Sequence, residues 1–377
     1  MKRMLAAVCA AVMICGMTAC GSGGESGAAA PETTTAAAAT TAAAETTTTA
    51  EDTAATTEAE TTTTAEEATT EETAQVPEVT EAEVVGSGND GDITWTYYSD
   101  GTLRIGGTGR VENSLSKAFK QELKNIKKVI IEDGITDIGS SCFRDYTALT
   151  EVEIADSVKS IYKSFKDCKS LTSVKKSAGL TFIDIEAFYN CEALTSIVIP
   201  DGVTEIKENA FKNCKALTNV IIPDGITSIG HAAFFGCISL ADIKLPDSIT
   251  EMSNSAFYGC SSLTKIIIPK GVTKIDAFVF KNTSIAEIEI PENVNYISQG
   301  AFEGTNLVTV DIPATVKTVV YESFENCKSL VSITIPKDTK VEGNIAEGSE
   351  NVTIKCYAGS SAEEQAKIFS TPYELIG

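Results

Sequence analysis

The chain is poor in the residues that most often carry chemistry. Among 377 residues there is one histidine, His231, and one tryptophan, Trp95, and aromatic residues make up only 7%. A single histidine cannot supply the clustered ligand set that zinc prefers. Positive charge is also scarce: 30 Lys and Arg face 52 Asp and Glu, a net charge of -22. That balance argues against a nucleic-acid partner. Lys and Arg are missing altogether from 21–90, which holds 15 acidic residues among Thr and Ala and almost nothing large and apolar. Without apolar area to bury, such a segment cannot offset the entropy of ordering.

What is present divides the chain. Residues 1–20, "MKRMLAAVCAAVMICGMTAC", place Lys2 and Arg3 before an apolar run that ends near Ile14. This is the build of a secretory signal and is too short for a permanent span. Its end, "MTAC" before Gly21, resembles the lipobox of bacterial lipoproteins, which implies that 1–19 is a lipoprotein signal peptide and Cys20 the site of lipid attachment. Residues 20–90 read as a lipidated cysteine followed by a disordered tether, with a span of about 45 Å as a coil. The expectation is an exported protein, lipid-anchored to the cell membrane, displayed at the bacterial surface, and touching the membrane through that anchor only. Beyond the tether the net charge is only -9.

From residue 126 the chain repeats itself. Units begin at Ile126, Leu149, Leu171, Leu194, Leu217, Leu240, Leu263, Ile285, Leu307 and Leu330, always 22 or 23 residues apart. Each carries an aliphatic residue three positions on (Val129, Val152, Val174, Ile197 and so forth) and, in all but one, another two further. Period-two alternation predicts a strand with one buried face. Proline, often followed by Asp-Gly, then ends the strand in a turn. A second apolar pair three apart follows (Val203 and Ile206), and then Ala210, Phe211, Cys214 and Leu217 at the spacing of a helical turn. Each unit thus has about three short inward-facing sides, and only stacking can bury them. The exception is Lys176, where other units have Ile or Leu; the loss of the Pro-Asp-Gly turn beside it predicts a bulge.

The unit "LTSIVIPDGVTEIKENAFKNCKA" resembles the BspA-type leucine-rich repeat of bacterial surface proteins. "GDITWTYYSDGTLRIGGTG" resembles the hairpin that opens such domains, and "TIKCYAGSSAEEQAKIF" their closing strand and helix. The expected fold is therefore a mainly β repeat solenoid, a right-handed leucine-rich-repeat-like coil of about ten units. A β-hairpin N-terminal cap takes up 91–125, the solenoid 126–350, and a strand-helix C-terminal cap 351–377. The resemblance also implies a surface binding or adhesion module.

Features that look catalytic dissolve on inspection. Cys168, Cys191, Cys214, Cys237, Cys260 and Cys327 fill one slot of the repeat, which Thr283 and Thr305 fill elsewhere. A column of small buried side chains explains this better than redox or metal chemistry, since parallel stacking keeps the Cβ atoms outside disulfide range. His231 takes a variable position that Glu208 holds one unit earlier. "GSGNDG" (86–91) has dinucleotide-fingerprint spacing but precedes a strand instead of opening a helix. The reading is a non-enzyme with no metal or cofactor.

Two outward rows remain. On the first strand Val198 and Ile221 stand among charged residues, explicable by cross-strand packing or by a partner. After the inward phenylalanine come Tyr189, Lys212, Phe235 and Tyr258, either exposed for contact with a ligand or folded back over neighbouring coils. The function read from all this is surface recognition of a protein or glycan by a monomer; the alternative is a structural cell-envelope scaffold without a specific ligand.

Overall fold

The computed structural model describes residues 82–114 and 124–377; the signal, Cys20 and nearly all of the tether lie outside them. The described chain opens on an antiparallel meander of Val84–Asp90, Ile93–Tyr98 and Thr102–Gly107. The turn between the last two strands is Ser99-Asp100-Gly101, with Gly101 at φ 92. The first described strand, Val84–Asp90, thus lies ahead of residue 91, within the expected tether. The reason is Trp95, whose ring covers Gly86 and Gly88; a Cβ on Gly88 would meet that ring at 2.7 Å. Gly86 and Gly88 of "GSGNDG" make room for an indole and sit in a strand, not at a helix start.

Thr102–Gly107 then pairs in parallel with Lys128–Ile131 and serves as the first rung of a mainly β solenoid of about eleven turns. Each coil has three sides. The first carries strands such as Lys128–Ile131, Glu151–Ile154 and Ser173–Lys176, paired in parallel with inward Val129 and Val152 fully buried. The second carries two- to four-residue strands such as Ile135–Ile138, Ser160–Ile161 and Glu205–Ile206. No bulge occurs at Lys176: the backbone stays in register with Ile154, and the path changes one residue later, at Ser177 with φ 74.

The third side is a chain of tight turns. Cys168 N–H donates to Phe165 O and Leu171 N–H to Cys168 O, which sets the three-residue spacing of Phe, Cys and Leu. Two residues per coil adopt a left-handed conformation. One of these columns runs Asp145, Asp167, Asn190, Asn213, Gly236, Gly259, Asn282, Gly304, Asn326, Gly348. Asp, Asn and Gly are the residues that tolerate this region at least cost. Backbone bonds join every coil to the next along this side, from Phe143 N–H to Ser164 O through to Asn326 N–H to Glu347 O. Inside it the rings of Phe143, Phe165, Phe188, Phe211, Phe234, Phe257, Phe280, Phe302 and Phe324 stack with centroids 5.3–6.0 Å apart.

The first side is less uniform. Its ladder is interrupted after Ser173–Lys176, resumes between Ser196–Val198 and Asn219–Ile221, and is lost again over 242–245, 265–268 and 287–290. It returns at Thr309–Asp311 and runs through Ser332–Thr334 and Thr353–Cys356. The chain closes with the helix Ser361–Phe369, whose N-cap Ser360 accepts from Glu363 N–H, and a last strand, Tyr373–Leu375, beside Thr353–Cys356.

Candidate recognition surface

Pleating places the first-side residues. In Ser196–Val198 and Asn219–Ile221 the middle residues Ile197 and Val220 point to the core, so Val198 and Ile221 point outward, and the register pairs them directly. They are 58% and 51% exposed, and Ile267, two coils on in the same row, is 73% exposed. Lys244 stands between, and Glu289 and Asp311 continue the row, all exposed. The result is a strip of rigid β-branched side chains with charged neighbours. Few apolar groups of this size stand in line on a monomer surface without a partner.

Of the two arrangements open to the aromatic row, the structure has the one folded back over neighbouring coils. Tyr189, Lys212, Phe235 and Tyr258 do lie together, but all four are half-buried. Phe235 and Tyr258 stack face to face at 4.6 Å and 14°. Lys212 Nζ covers the other face of Phe235 at 4.7 Å, Lys166 Nζ covers Tyr189 at 4.4 Å, and Lys281 Nζ lies 5.6 Å from the Tyr258 ring. Ring faces are the part of an aromatic that a sugar stacks on, and here neighbouring coils occupy them. This row shields the third side; it presents edges, not faces. Val198 and Ile221 stand on the first side of the coil, the aromatic row on the third.

Charge is graded along the solenoid. Near its start Lys128 Nζ reaches Glu151 at 2.8 Å, and Lys175 Nζ reaches the other oxygen of Glu151 at 2.7 Å. Those ammonium groups hold the Glu151 carboxyl down at about 2. On the third side, Lys166 pairs with Glu186 and Lys281 with Glu303. Beyond them the column turns acidic, and burial, then the carboxylates of Glu303, Glu322 and Glu347, push the Glu325 carboxyl up.

The cysteine column carries no reactive thiol. Cys168, Cys191, Cys214, Cys237, Cys260 and Cys327 are free and buried, and each Sγ donates to the phenylalanine carbonyl of the preceding coil at 3.0–3.2 Å. Thr283 and Thr305 donate instead to a phenylalanine carbonyl of their own coil, Phe280 O and Phe302 O. Burial pushes the thiols up, Cys260 to about 12. A thiolate, the form that attacks or binds metal, is therefore not populated at neutral pH. Among the described residues no group of three or more His, Cys, Asp or Glu is arranged to hold a metal, and no helix is long and apolar enough to cross a membrane.

Several exposed apolar residues escaped the sequence reading, Phe182, Ile238 and Val331 among them. Phe182 is 56% exposed on the second side, in the slot where neighbouring coils have Ser160, Glu205 and Ser228. An aromatic among polar residues of one repeat slot was the available signal.

Solved structures resemble the chain at low identity. A leucine rich cell surface protein from Faecalibacterium prausnitzii A2-165 is 23% identical over 75% of this chain and 98% of its own, with a TM-score of 0.43. A leucine-rich repeat protein from Bacteroides ovatus ATCC 8483 is 20% identical over 76% and 98%, with a TM-score of 0.42. The pneumococcal vaccine antigen PcpA is 16% identical over 78% and 100%, with a TM-score of 0.45. No curated protein matches the chain. The family model described as the BspA type leucine rich repeat region matches in six copies, over 113–237 and 205–331. Those copies span more than half of the sequence and follow the repeat seen in the coils: the chain belongs to the BspA-type leucine-rich repeat family.

Proposed function

We propose that this protein is a non-catalytic recognition module of the cell surface, a lipid-anchored monomer that binds a protein partner through the first side of its solenoid. The observation that carries the reading is the in-register pair Val198 and Ile221, both more than half exposed, with Ile267 in the same row. Apolar side chains on a rigid sheet favour a protein surface, because they lose little conformational freedom on contact. Glycan binding has less support, since the ring faces of Tyr189, Phe235 and Tyr258 are covered. In this reading 1–19 directs export, Cys20 carries the lipid, and the acidic segment up to about residue 83 spaces the solenoid from the membrane.

The test is capture from a panel of host matrix proteins, with a glycan array in parallel. Val198→Asp combined with Ile221→Asp is expected to weaken capture at least about tenfold, as loss of a hot spot does, with an unchanged melting temperature. Undiminished capture by the folded double variant would refute the assignment of the face. Binding only on the glycan array would refute the protein partner. Cys20→Ser is expected to release the protein into the medium; an unaltered membrane fraction would refute the anchor.

A further inference from the structure

The first-side segments 265–268 and 287–290 occupy the same repeat positions as Lys128–Ile131 and Glu151–Ile154. In the latter pair four rungs close the ladder, and Lys128 meets Glu151 at 2.8 Å. In the former, no backbone N–H or C=O of either segment has a backbone partner among the described residues. Lys265 and Glu287, standing where Lys128 and Glu151 stand, form no ion pair there. Between the two segments lies a cleft of about 860 Å³ whose lining includes Lys265, Ile266, Ile267, Glu287, Ile288 and Glu289. The coils remain tied on either side of it: Ser284 Oγ donates to Ser261 O and Asn293 Nδ2 to Lys270 O, each at 2.6 Å. The opening is thus local to the strand segments.

Unpaired backbone groups in two facing rows are costly unless something completes them, and an extended chain is the complement they fit. We propose that the cleft takes an extended peptide of a partner protein, which adds a β-strand between 265–268 and 287–290. The lining also sets the character of the peptide. One lip carries Lys265 and Lys270, the other Glu287, Glu289 and Glu292, and none of these five has an ion pair among the described residues. A strand of about five residues, with small apolar side chains toward Ile266 and Ile288 and both an acidic and a basic side chain outward, would satisfy both lips. This deepens the reading of the protein as a module for protein partners; it uses a later stretch of the same first side, which includes Ile267 but neither Val198 nor Ile221.

The full-length chain serves for the test, with a displayed library of random heptapeptides as the probe. In the free protein, amides of 265–268 and 287–290 are expected to exchange with solvent at least about tenfold faster than those of Lys128–Ile131 and Glu151–Ile154, because their hydrogen bonds are missing. Amides already protected in the free chain would overturn the proposal. Selected peptides should slow that exchange, lose at least about tenfold in affinity when N-methylated at alternate positions, and reverse their charge preference against Lys265→Glu combined with Glu287→Lys. Val198→Asp with Ile221→Asp should leave them bound, so that failure of that face and failure of the cleft are separately visible. A library yielding no binder, or binders that are insensitive to N-methylation or protect only the Val198–Ile221 face, would overturn the cleft.

Discussion

The third side and the first side of the same coils obey different rules. Along the third side every coil from Phe143 to Phe324 repeats one ring, one left-handed Asp, Asn or Gly, and two or three backbone bonds to its neighbour. Along the first side the inward aliphatics repeat just as faithfully, yet the ladder opens over 242–245, 265–268 and 287–290. A solenoid needs each coil to be held to the next, but not on all sides at once. Here the third side holds, and the first is released to vary.

The most direct way to break this comparison is to attack the side that holds. Phe211→Ala removes a fully buried ring stacked at 5.5 Å and 5.4 Å on its two neighbours. It is expected to cost about 3–5 kcal/mol in denaturant unfolding, because the cavity cannot close between fixed coils. An unchanged midpoint would place the mechanical core elsewhere.

A smaller effect is expected at the cysteine column. Cys214→Ala deletes the Sγ donor to Phe188 O and leaves a small void, for a loss of about 1–2 kcal/mol. The native chain should meanwhile show no thiol reacting with an aromatic disulfide reagent until it unfolds. Rapid reaction of the native protein, or disulfides between successive members under non-reducing mass spectrometry, would contradict the packing role.

The finest contrast compares the same slot in the closed and open parts of the first side. Glu151→Gln loses its bonds to Lys128 and Lys175 and is expected to cost about 0.5–1 kcal/mol at neutral pH, as a partly exposed network does. Glu287→Gln, with no cation to lose, should change stability by less than about 0.5 kcal/mol. The Glu151 carboxyl titrates at about 2 in the folded chain, below its ordinary value of 4.5. Its contribution is therefore complete above pH 4.5 and disappears as pH falls through 2. Acid titration of stability should show a step in that window that Glu151→Gln reduces and Glu287→Gln leaves alone; equal curves would remove the distinction between the two regions.

Much of this architecture could be read from spacing, because stacked coils force the same residue type into the same slot. The inward Val129, Val152 and Ile197, the phenylalanine column and the cysteine column all announced themselves that way. The left-handed column was equally readable, since Asp167, Asn190, Asn213 and Gly236 share one slot that admits only residues suited to that backbone. Pairing was not readable. "EVEI" at 151–154 lies in a closed ladder and "EIEI" at 287–290 in an open one, with the same alternation and the same charges. Alternation determines which way a side chain points, but whether two rungs touch depends on how the other sides space the coils. Spacing left Tyr189, Phe235 and Tyr258 open between exposed and folded back, for a related reason. An outward direction fixes where a side chain starts, and stacking across a short coil repeat decided where these rings ended.

The phenylalanine column also bears on how such a gene can change. Each ring between Phe143 and Phe324 meets an identical ring above and below, and each cysteine of the column meets an identical carbonyl. Excision of 194–216, one whole period, would bring Phe188 against Phe234 with every inward contact type restored, whereas a deletion that is not a whole number of periods would throw the slots out of phase. Recombination between neighbouring copies can therefore lengthen or shorten the molecule in whole steps without unfolding it. It would carry each coil's outward row along intact, as a cassette to be shuffled past selection.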